Sequence, residues 1–115
     1  MAKKRLVEKQ WAFTHAVQLL IAHTDRLGMD LSFGDAYRDP RVHGRRGSKK
    51  SYSHRNSLHK SRLAVDFNLF IDGKYQRKAK AYIPLGQYWL SLNPDARWSI
   101  KDANHFSFTH FGMAY

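Results

Sequence analysis

Apolar and polar positions change period several times along this chain, and each change marks an element. From Val7 to Leu27 the apolar positions recur at helical spacing: Val7, Trp11, Ala16, Leu20 and Leu27 mark one broad face, widened by Phe13, Val17, Leu19 and Ile21. The spacing predicts a helix over 7–27, closed by Gly28 at the C′ position. Leu31 and Phe33 then alternate with Ser32 and Gly34, which predicts a strand over 29–38 ending at the Asp39-Pro40 turn. A glycine-, serine- and base-rich loop follows from Arg41 to Ser57, and its length marks it as functional or mobile.

Alternation resumes most clearly at residues 62–70. In a strand there, Leu63, Val65, Phe67 and Leu69 share one face, and Ala64, Asp66, Asn68 and Phe70 the other. Asp72-Gly73 after Ile71 predicts a hairpin, because both central residues of a type I′ turn need positive φ. Residues 84–92 read as a second helix, with Pro84 in its first turn, Leu85, Tyr88, Trp89 and Leu92 as its buried stripe, and Asn93-Pro94-Asp95 as its stop. A last strand, from about residue 104, sets Phe106 and Phe108 opposite His105 and Ser107. The expected architecture is α+β: one domain over 1–115, a small, mainly antiparallel sheet with packed helices, and residues 1–6 as a flexible basic start.

Composition narrows the setting. The chain has 115 residues, no cysteine and a net charge of +11, so disulfides, thiolate ligands and a cysteine nucleophile are excluded. Between Arg41 and Val65 stand eight Lys/Arg residues and no acid, and Lys3, Lys4, Arg5 and Lys9 form a second cluster. Such a balance favours an anionic partner or a solvated surface. With no apolar run of membrane-spanning length and no signal-peptide pattern, synthesis in the host cytoplasm is expected, with export by another route.

Asp66 is the chemical puzzle, because a carboxylate inside an apolar strand is costly to bury without a partner. His59, Asp66 and His105 supply two imidazoles and one carboxylate, donors that suit a zinc ion with one open position. Asp102, three residues before His105, is close enough in sequence to take a proton beside such a metal. The same residues also read as structural, with His59 and His105 as core or surface histidines and Asp66 paired to Arg62 or Arg55. His54 competes with His59, and His110 with His105; His15 and His23 share a helix side but read as structural or exposed. Arg38 is either an ion-pair residue or a fixed cation aimed into a cleft.

Ser57-Leu58-His59, Ala64-Val65-Asp66 and Asp102-Ala103-Asn104-His105, with Tyr37-Arg38 upstream, resemble the M15 family of zinc peptidases. That family comprises D-Ala-D-Ala dipeptidases and carboxypeptidases and phage L-alanyl-D-glutamate endolysins. The resemblance covers roughly residues 30–110 and implies an M15/hedgehog-like fold. It implies zinc ligation at His59, Asp66 and His105, a general base at Asp102, and oxyanion or substrate contact from Arg38. Ser57 and Tyr37 would bind substrate. Aspartate at 102 is similar to the endolysin branch, so the implied reaction is hydrolysis of the peptidoglycan stem, L-Ala-D-Glu before D-Ala-D-Ala. Arg62 stands where the family often has glycine, and Ser107 where it often has glutamate, so the roles of side chains around the ligands are not carried over.

The resemblance implies action at the cell wall or periplasm, reached through a separate membrane pore, with the basic surface held against anionic wall or outer membrane. Two rivals stand beside it. One is a non-catalytic nucleic-acid-binding module, its basic loop tracking phosphates while Tyr52 and Trp98 stack on bases; this is the less favoured partner. The other is an inactive zinc-binding member of the family.

Overall fold

The computed structural model describes residues 5–34 and 61–110. Helix α1 runs Leu6–Arg26, so it starts inside the stretch assigned to a flexible start. Glu8 reaches back to accept from the Arg5 backbone N–H at 3.0 Å, satisfying a donor at the helix entry. At the other end, Gly28 N–H bonds to Asp25 and Met29 N–H to Thr24. With Gly28 at φ 77, this is a Schellman closure, as the Leu27-Gly28 sequence predicts.

The buried stripe of α1 is Phe13, Ala16, Leu20 and Thr24, a correction to the face expected from Val7 and Trp11. At 3.6 residues per turn, Trp11 lies about 160° around the helix from Phe13, and it is 64% exposed. Large apolar residues on both sides made the sequence pattern too broad to orient. His23 stacks on Tyr88 of the second helix, ring centroids 3.9 Å apart, which gives it a packing role.

Strand β1, Asp30–Phe33, pairs antiparallel with β2, Ala64–Ile71, from Asp30↔Phe70 to Phe33↔Phe67. Strand β2 begins two residues later than expected because Arg62 takes φ 59 in the turn before it. Asp72 at φ 53 and Gly73 at φ 76 make the predicted tight hairpin to β3, Lys74–Tyr75. A 3₁₀ turn, Ala79–Tyr82, leads into α2, Ile83–Leu92, whose buried residues are Leu85, Gly86 and Trp89. Strand β4, Ala96–Arg97, was not predicted; at two residues it is too short to show alternation. It pairs with β5, His105–Phe108, after a 3₁₀ turn at Ile100–Asp102.

Among the described residues the sheet order is β1-β2-β5-β4, with β3 on the far end of β2 and all pairings antiparallel. This is the expected α+β single domain. Phe13 of α1 and Trp89 of α2 meet the β5 aromatics: Phe13 is edge-on to Phe108 at 5.3 Å, and Trp89 edge-on to Phe106 at 5.8 Å. Trp89 is fully buried and its indole N–H donates to the Ser107 carbonyl at 3.1 Å, so the ring is fixed at both ends. No helix among the described residues is long and apolar enough to cross a membrane.

Candidate functional site

Among the described residues Asp66 meets His105. The two face each other across the β2–β5 ladder, with His105 Nδ1 2.9 Å from Asp66 Oδ1. Phe67 N–H bonds to the Asn104 carbonyl and Phe108 N–H to that of Leu63. Hydrogen-bonded and non-hydrogen-bonded pairs alternate along an antiparallel ladder, so Asp66 and His105 fall on a non-hydrogen-bonded pair, where opposed side chains come closest. They are 2% and 3% exposed, a depth at which a carboxylate needs a fixed hydrogen-bonding or ionic partner.

The other side of Asp66 is built by Gly34. Its N–H bonds to the Asp66 carbonyl at 2.7 Å, and a Cβ there would stand 3.0 Å from Asp66 Cβ and 3.3 Å from its backbone. Glycine thus lets the end of β1 close against the strand that carries the carboxylate. Sequence reasoning passed over Gly34, although a glycine inside an alternating strand is a signal for close backbone approach.

Asp102 occupies the 3₁₀ turn before β5, where Asp102 N–H bonds to the Ser99 carbonyl at 3.0 Å. It is half-buried and lines an open pocket of 310 Å³ together with Tyr75, Arg77, Tyr82, Ile100 and Lys101. That pocket does not include Asp66 or His105, although Asn104 in its wall immediately precedes His105. His110, the sequence competitor of His105, sits at the opposite end of β5, about 17 Å further along an extended chain. It is 5% exposed, and its proton affinity is pushed down by burial and by the charge of Lys9, with Asp95 opposing. The structure therefore sets His105, and not His110, against Asp66.

His59, Ser57, Tyr37, Arg38 and His54 lie outside the described residues, as does Tyr52. Trp98, offered as a stacking surface for bases, is half-buried instead. Its indole lies against the backbone at Gly86 and donates to the Ala103 carbonyl at 2.7 Å.

A buried carboxylate oxygen and imidazole nitrogen are donors that zinc accepts. The 2.9 Å Asp66–His105 pair would offer such an ion one oxygen and one nitrogen donor. Among the described residues no group of three or more His, Asp or Glu side chains is placed to hold a metal ion. No protein-family model matches this chain, and no curated protein matches it.

Proposed function

We propose that this chain is a zinc-dependent peptidase that hydrolyses the peptidoglycan stem, in the manner of a phage endolysin, with L-Ala-D-Glu favoured over D-Ala-D-Ala. The observation that carries the reading is the buried cross-strand pair Asp66–His105, two of the three residues that the sequence pattern nominates as ligands. Arg62 adds to it: its φ of 59 is the left-handed conformation that glycine, frequent there in the resembled family, adopts at no steric cost.

In this reading Asp66, His105 and His59 hold the ion. A zinc ion so held supplies Lewis acidity, polarising a carbonyl and acidifying water. Asp102 takes the proton of the attacking water and returns it to the leaving amine, so that one carboxylate serves both transfers. Arg38 offers a fixed positive donor where negative charge develops on the scissile carbonyl oxygen. The +11 net charge holds the protein against anionic wall or outer membrane, and binding to purified sacculi weakens as salt screens it. Made in the host cytoplasm, the protein reaches the wall after a separate pore opens the membrane.

The test is turbidity of purified peptidoglycan with the protein, with chelator, and with zinc restored. Clearing that stops with chelator and returns with zinc is expected, and mass spectrometry of the fragments names the bond. Asp102→Ala should keep one zinc per chain and lose about 10²- to 10⁴-fold in rate. Zinc binding without clearing would leave the inactive relative; neither zinc nor clearing would defeat the proposal.

A further inference from the structure

Strand β3 and the segment joining it to α2 carry Lys74, Arg77, Lys78 and Lys80 with no acid among them, a basic run separate from the one between Arg41 and Val65. It matters because of the pocket it borders. Arg77 from this segment and Lys101 from the 3₁₀ turn stand in the wall of the 310 Å³ pocket, which Asp102, the next residue of that turn, also lines. Tyr75 and Ile100, each about half exposed, give the same wall apolar surface, and Gln76 and Asn104 give it amide-bearing side chains. Cations, amides and an aromatic edge around a volume at the small end of ligand pockets suit a short acidic peptide better than an apolar ligand.

We infer that this pocket is a carboxylate subsite: Arg77 and Lys101 bind a free carboxylate of the stem peptide. Asp102 shares the pocket, so a peptide anchored there lies beside the proposed general base. The inference rests on the peptidase reading for the identity of the peptide, but not for the pocket's preference for a carboxylate. Arginine pairs a carboxylate through two parallel N–H bonds, whereas a neutral amide, which lacks the charge, gains much less. Selection of the free-acid stem over its amidated form follows.

The experiment is calorimetric titration of the whole 115-residue chain in chelator, where nothing is turned over. The ligands are two synthetic stem peptides that differ only in a free carboxylate or a carboxamide on the glutamyl residue. The native chain should bind the acid roughly tenfold more tightly. Arg77→Gln with Lys101→Gln should bring the two affinities together while leaving the melting temperature unchanged, since both side chains are exposed. Equal binding of the two peptides by the native chain, or a preference that survives in the double variant, would overturn the subsite. Failure of the peptidase reading shows differently: no clearing and no zinc, with the acid preference intact.

Discussion

Two buried histidines lie on the same strand path, five residues apart, and their surroundings give them different chemistry. His105 faces a carboxylate across the ladder, in a sheet position closed on its far side by Gly34. His110 lies where β5 runs out, in the field of Lys9, which also donates to the Thr109 carbonyl at 2.9 Å and pairs with Asp95 at 3.2 Å. A carboxylate neighbour equips an imidazole for work on a cation or a proton. Burial beside an ammonium group instead disfavours the charged form of the His110 ring. Burial alone therefore does not distinguish the two histidines, whereas the group opposite each does.

The widest separation between the two should come from removing each ring. His105→Ala is expected to lose zinc, and with it clearing activity by more than about a hundredfold. His110→Ala should keep one zinc per chain and lose about 1–2 kcal/mol of stability, so metal content and a urea midpoint on both variants suffice. Equal zinc loss in the two would erase the contrast.

Next in size is the pH response. His110 is held below its ordinary value of 6.5 by burial and Lys9, so between its folded value and 6.5 the unfolded chain binds the more protons. The stability contributed by neutral His110 is complete above pH 6.5 and is lost as pH falls through the folded value. Urea midpoints taken from about pH 7.5 down to about 5 should decline in the native chain and decline less in His110→Gln. An unchanged slope would mean that His110 is not the group responsible.

The smallest effect concerns the turn that delivers Asp66. Arg62 at φ 59 carries the steric cost of a side chain in the left-handed region. Arg62→Gly should be neutral to stabilising, by up to about 1 kcal/mol, with zinc content unaltered. A clear loss of thermal stability in that variant would show that the arginine side chain contributes more than its backbone costs.

Local periodicity was enough for much of the fold. The helix at 84–92 emerged as Ile83–Leu92, and Asp72-Gly73 forms the hairpin it promised, because both depend on neighbours within a few residues. The orientation of α1 was not legible, since Trp11 and Phe13 are both large and apolar and only packing against Trp89 and Phe108 selects Phe13. The two-residue β4 had too few positions to carry a period.

For the site, the residue types and their order nominated Asp66 and His105, and the expense of burying a carboxylate required that something meet Asp66. Which residue meets it depends on cross-strand register between chain segments 39 residues apart, and no local pattern encodes that. The same holds for Gly34 beside Asp66 and for Arg77 and Lys101 in the wall of one pocket. Sequence determined which side chains are suited to the chemistry. Tertiary structure decided which of them touch, because strand pairing joins distant segments through contacts that exist only once the sheet has formed.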